Sequence, residues 1–163
     1  MKRLLLSMLF FTLCLGARAQ VGSLTLVNTS TCDVYLSMSA KDAAAGDGTP
    51  CDLQSCWVVV PAGTTLSFTS PYDFATSPLA GFCSETVPVP ISFWTTTIDF
   101  IWTDVSFQYG CPECSGGDRM TDATIPVAAT CYGAPAVYAG PCGHLARWLP
   151  DPGTLMTNVT IKF

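Results

Sequence analysis

The sequence predicts an all-β fold: an antiparallel β-sandwich of about seven to eight strands, disulfide-stabilised, with long irregular loops. Three observations carry this expectation. Short segments alternate apolar and polar residues with a period of two, as strands with one buried face do. Glycine and proline, 13 and 12 of 163 residues, interrupt those segments at short intervals. Charged residues make up only 12% of the chain, and no segment carries the 3.6-residue pattern of a long amphipathic helix.

The chain opens with a different kind of segment. Lys2 and Arg3 precede an almost unbroken apolar run from Leu4 to Leu15, and Gly16-Ala17-Arg18-Ala19 follows. A basic start, a short apolar stretch and small residues before a cut mark a secretory signal peptide over 1–19. The run is short of the roughly 20 apolar residues that span a bilayer. Cys14 raises the alternative of a lipoprotein, but Leu13 stands where a small residue is wanted. The expectation is a secreted or periplasmic protein, cut near Ala19, with 20–163 forming a single β-sandwich domain without a membrane span.

Within that domain, Leu24 to Asn28 alternates and reads as the first strand. Val34, Leu36, Met38 and Ala40 share one face of a second strand, and Asp33, Tyr35, Ser37 and Ser39 share the other. Residues 41–55 read as loop. Trp57 to Val60 reads as a wholly apolar strand, buried on both sides or covered by a loop. Pro61-Ala62-Gly63 is a turn signal, and Leu66 and Phe68 alternate with Thr65, Ser67 and Thr69 as the return strand of a hairpin. Residues 70–90 show no period and read as an irregular connection. Val87 to Ile91 is extended, but its prolines keep it out of a central strand.

Residues 91–109 pose a parity problem. Ile98, Phe100 and Trp102 fall on one parity; Val105, Phe107 and Tyr109 fall on the other. A β-bulge near Thr103-Asp104 would place both sets on one core face. Cys111 to Asp122 reads as a Gly-rich loop, Ala123 to Ala129 as a short strand, and 131–153 as mostly loop, with Leu145 to Leu149 as one helical turn. Thr157 to Phe163 alternates again and should be tied into a sheet, since loose termini rarely keep so regular a pattern.

Apart from Cys14, eight cysteines remain: Cys32, Cys51, Cys56, Cys83, Cys111, Cys114, Cys131 and Cys142. An even number in an exported chain reads as four disulfides, with connectivity open; short separations make Cys51–Cys56 and Cys131–Cys142 plausible local loops. Cys111-Pro112-Glu113-Cys114 is a CxxC. A redox role would want its first cysteine at a helix N-terminus, and the motif instead follows a strand and precedes loop residues. A zinc site from Cys111, Cys114, Cys131 and Cys142 lacks a second CxxC. Structural bridging is the expectation for all eight.

Removing 1–19 takes Lys2, Arg3 and Arg18 away and leaves four basic residues against twelve acids, a net charge near −8. That balance argues against nucleic acid and against anionic lipid surfaces. The catalytic readings are thin. His144 is the only histidine, so any Ser–His–Asp or Cys–His set must use it, and no Gly-x-Ser-x-Gly elbow is present. Asp99 and Asp104 flank Trp102 and, with Glu113, could form the carboxylate pair of a small extracellular hydrolase. Asp42 with Asp47, and Asp118 with Asp122, are the densest acid pairs for calcium, but neither matches the twelve-residue calcium loop. No cofactor and no metal site is expected.

Trp57, Trp94, Trp102 and Trp148 could include an exposed platform for a sugar or protein. Trp148, among loop-like neighbours, is the first candidate and Trp102 the second. Asn28-Thr29-Ser30 and Asn158-Val159-Thr160 are glycosylation sequons. The expected function is a non-enzymatic binding or envelope-interaction module with a protein or glycan partner, with the hydrolase as the alternative.

The segments Leu-Thr-Leu-Val-Asn-Thr-Ser-Thr-Cys-Asp-Val-Tyr (24–35) and Trp-Val-Val-Val-Pro-Ala-Gly-Thr-Thr (57–65) resemble the start of thaumatin-like proteins. The resemblance implies a strand, an Asn, a Cys and a second strand, followed by a turn. The rest of that family's cysteine pattern and its acidic-cleft motifs are missing here, so no residue role and no function carries over.

Overall fold

A computed structural model of the chain describes residues 22–42, 53–81, 83–84, 87–88, 100–113, 116–121, 135–150 and 158–163. The signal segment 1–19, the expected strand at 123–129, and Cys51, Trp94, Asp99, Cys114 and Cys131 lie outside the described residues.

The fold is all-β, with two sheets packed face to face. In one sheet, sheet A, β12 (Val159–Lys162) lies between β1 (Leu24–Val27) and β11 (Leu145–Pro150). β5 (Thr65–Phe68) borders β1, and β10 (Val137–Ala139) borders β11. In the other, sheet B, β2 (Val34–Asp42) and β8 (Phe100–Tyr109) form the long central pair. β3 (Leu53–Gln54) and β4 (Val58–Val60) flank β2, and β9 (Gly117–Thr121) flanks β8. A small pair, β6 (Cys83–Ser84) and β7 (Val87–Pro88), forms a separate two-stranded sheet next to β3. Among the described strands, all pairings are antiparallel except β1 with β12.

Period-two alternation fills the space between the sheets. Leu24, Leu26, Trp148, Val159, Ile161 and Phe163 enter from sheet A; Val34, Leu36, Met38, Val58, Val60, Val105 and Phe107 enter from sheet B. Phe107 packs edge-on against Tyr138 at 5.2 Å and meets Phe163, also at 5.2 Å, so the two sheets touch through aromatic rings. Such ring pairs add roughly 0.5–1.5 kcal/mol each beyond their buried area.

The parity problem in β8 is resolved by a bulge, as expected. Ser39 pairs with Asp104 and Ala40 pairs with Trp102, which leaves Thr103 as the extra residue. Trp102, Val105, Phe107 and Tyr109 are therefore all buried. The C-terminal strand also meets its expectation, since β12 pairs on both edges.

Five local expectations are corrected. The hairpin over 57–68 is not formed: Val58–Val60 pairs with β2 in sheet B, and Thr65–Phe68 pairs with β1 in sheet A. The Pro61–Gly63 turn instead passes the chain from one sheet to the other, with Gly63 at φ 67°. Nor is the first of those strands buried on both sides, because Trp57 and Val59 face solvent. Residues 70–90 contain a short helix, α1 (Pro71–Thr76), started by Ser70: its hydroxyl accepts from Asp73 N at 3.0 Å, and Pro71 occupies the first helical position. Its Phe74 plugs the core between Phe68 (4.9 Å) and Trp102 (5.2 Å). Part of the expected 111–122 loop is β9. The expected helical turn at 145–149 is β11, because Ala146 and Trp148 point inward with period two and find partners in β12.

Candidate functional site

The turns that join the sheets are organised by Asn28, a buried amide. Its Nδ2 donates to Cys32 O (2.7 Å) and to Val60 O (2.9 Å), and its Oδ1 accepts from Ser30 N and Ser30 Oγ. Its own N–H donates to Thr64 O at 2.9 Å. The β1–β2 and β4–β5 connections are thereby tied together. Both hydrogens of the Asn28 amide are occupied, so this sequon offers no nucleophile to a glycosylating enzyme once the chain has folded. Asn158 is half-buried and its Oδ1 accepts from Ser23 N at 2.9 Å.

Cys32 and Cys111 form a disulfide, closing the end of the β2–β8 pair beside the Gly110 N to Asp33 O hydrogen bond. Cys56 and Cys142 are disulfide-bonded as well. Their partners lie outside the described side chains. Because Cys111 is joined to Cys32, the CxxC does not close on itself. The Sγ atoms of Cys32 and Cys111 and a ring nitrogen of His144 all lie within 4.8 Å of one another, but both sulfurs are consumed by the bridge. His144 stacks on Tyr109, with ring centres 4.2 Å apart and planes 15° from parallel. The Tyr109 hydroxyl is buried and has no hydrogen-bond partner among the described residues. Burial, and secondarily Tyr138 nearby, pushes its phenol up to about 12.

Of the carboxylates expected to act together, Asp104 and Glu113 are held apart, and Asp99 lies outside the described residues. Asp104 is buried on β8 opposite Ser39 and Thr121. Glu113 is exposed beyond the far end of the same strand. Five strand residues separate Asp104 from Tyr109, a rise of about 16 Å, which exceeds the roughly 6.5–9.5 Å that even an inverting glycosidase uses. Asp118 is exposed and accepts from Arg119 N, while its expected calcium partner Asp122 lies outside the described residues.

The tryptophan expectation is corrected. Trp148 is 3% exposed and Trp102 is fully buried; both are core residues. Among the described tryptophans, the exposed one is Trp57, at 64%, on the outer face of sheet B. The signal was its place one residue before β4: with Val58 and Val60 inward, parity sends Trp57 and Val59 outward. Tyr35, opposite Val59 on β2, is exposed on the same face. Beside Trp57 lies a cavity of about 370 Å³, bordered by Ser106, Gln108, Gly117, Asp118 and Arg119. Gly117 is required there, because a Cβ would collide with the Phe107 and Gln108 main chain.

A second cavity of about 550 Å³ lies where sheet A meets the β1–β2 turn. Thr29, Ser30, His144, Leu145, Arg147, Leu149 and Lys162 border it. No helix among the described residues is long and apolar enough to cross a membrane. No protein-family profile, no curated protein and no solved structure matches this chain.

Proposed function

We propose that this is an exported, non-enzymatic binding domain that takes a glycan on the outer face of sheet B. The observation that supports the reading is the exposed indole of Trp57 on the same strand face as the exposed ring of Tyr35. Burying an aromatic ring is strongly favourable, and a domain that leaves two on one solvent face gives up that gain unless something covers them. A sugar ring fits the chemistry: its C–H face covers an aromatic ring, while its hydroxyls need donors and acceptors at the edge. Gln108, Arg119, Asp118 and Ser106 provide both kinds of group around the adjoining cavity. The signal-peptide pattern and the disulfides fit a role outside the cytoplasm.

The test is a glycan-array screen of the disulfide-bonded protein, followed by Trp57→Ala. Trp57 is mostly exposed, so the variant should fold with little loss of stability and lose at least about tenfold in affinity for whatever glycan the array returns. An empty array, or a glycan bound equally well by Trp57→Ala, would dismiss this face as the binding site.

A further inference from the structure

The cavity on sheet A poses an electrostatic question of its own. Arg147 and Lys162 are direct register partners across β11 and β12, and both point outward because Trp148 and Ile161 point inward. Like charges placed directly opposite one another on a sheet oppose folding. This chain has only seven Lys and Arg residues, yet it sets two of them face to face. Among the described residues, neither makes an ion pair and no carboxylate side chain borders the cavity. Phe163, the last residue of the sequence, also borders the cavity, and its main-chain oxygen accepts from Thr29 N and Oγ1, each at 2.8 Å.

The cations sit in apolar company. Leu145 and Leu149 share the outward parity of Arg147 on β11 and are both more than 40% exposed. The floor therefore carries an apolar–cationic–apolar stripe along one strand, with a second cation across the strand gap. Its volume of about 550 Å³ falls in the range of small-molecule sites.

We propose that this cavity binds an amphiphilic acid: an oxyanion held between Arg147 and Lys162, with an apolar body lying over Leu149 or Leu145. A guanidinium matches a planar or tetrahedral oxyanion with paired donors, and the ammonium of Lys162 adds a second charge. The overall acidity of the protein selects against extended anionic surfaces, whereas a single small anion is drawn by the local field of Arg147 and Lys162. The site is on the sheet opposite Trp57 and stands independently of the glycan reading.

Calorimetric titration of the disulfide-bonded protein with decanoate and with octyl sulfate tests it, and the two arms separate carboxylate from sulfate. Octyl glucoside supplies the apolar body without charge, and acetate the charge without the body. At least one of the two acids should bind with Kd of about 1 mM or tighter, and both controls at least tenfold more weakly. Arg147→Gln and Lys162→Gln should each weaken that binding about tenfold and should melt no lower than the parent, since each relieves one of two facing like charges. Leu149→Ser should weaken decanoate without changing the response to acetate. If neither acid binds, if octyl glucoside binds as well as the acids, or if both charge variants keep full affinity, the proposal fails. Binding to phosphatidylglycerol vesicles without binding to either soluble acid would also overturn it, in favour of a membrane surface.

Discussion

Tyr109 shows how a single side chain can record the cost of a packed interior. Its ring is sandwiched between the core and His144, and its hydroxyl is left without a described partner. An unfolded tyrosine gives up its proton near pH 10, whereas the folded one holds it to about 12. The raised folded value makes stability fully present below pH 10 and lost as pH rises toward 12, by about 2 kcal/mol. Urea melts between pH 8 and pH 12 should show that loss, and Tyr109→Phe should remove it. At neutral pH the same variant should be neutral or slightly stabilising, because it deletes an unpaired buried hydroxyl. A Tyr109→Phe protein that loses 1 kcal/mol or more at pH 7 would point to a hydroxyl partner after all. None of this was legible in the sequence, which shows Tyr109 as one more core aromatic. Neither the neighbouring imidazole, 35 positions away, nor the missing hydrogen bond has a local signature. Trp57 and Trp148 failed for a related reason. Composition around Trp148 is Gly- and Pro-rich, yet burial is set by parity and by which strand lies alongside.

Elements were legible where their own residues carry the signal, and illegible where a distant partner decides. The β8 bulge followed from two apolar sets of opposite parity, a property of that segment alone. β12 followed from its strict alternation. The 57–68 segment looked like a hairpin because a turn separates two strand-like runs, but pairing is a choice among all strands, and β2 and β1 won it. Helix α1, six residues from Pro71 to Thr76, is too short to show a 3.6-residue period in the sequence. Its importance lies in Phe74, which is fully buried at the junction of Phe68 and Trp102. Phe74→Ala should cost about 3–5 kcal/mol, the usual toll for emptying a large core site. Ser70→Ala should cost only about 1 kcal/mol, since it removes one capping bond. Chemical denaturation of both variants measures the ratio. A comparable loss in the two would mean that the helix is held by its cap and not by its plug.

At the scale of the whole molecule, the question is whether the bridges or the core hold the sandwich together. Cys32 and Cys111 are 79 residues apart in sequence, so their bond restricts a large part of the unfolded chain. Loop-closure entropy puts the effect at about 4–5 kcal/mol. Yet the bond lies at the end of β2 and β8, two strands already paired along their length within one sheet. The faces of the two sheets are joined by something else: Phe107 against Phe163 and Tyr138, the aliphatic alternation of both sheets, and the Asn28 amide across the turns. The double variant Cys32→Ser/Cys111→Ser should therefore keep a native near-ultraviolet circular dichroism spectrum at 25 °C while melting about 10–15 °C lower. Hydrogen exchange should quicken first at Val34 to Leu36 and Phe107 to Tyr109, and later in β1 and β12. If the variant instead loses its tertiary spectrum, the core between these sheets is too weak to stand alone. An oxidising environment would then be a condition of folding rather than an addition to it.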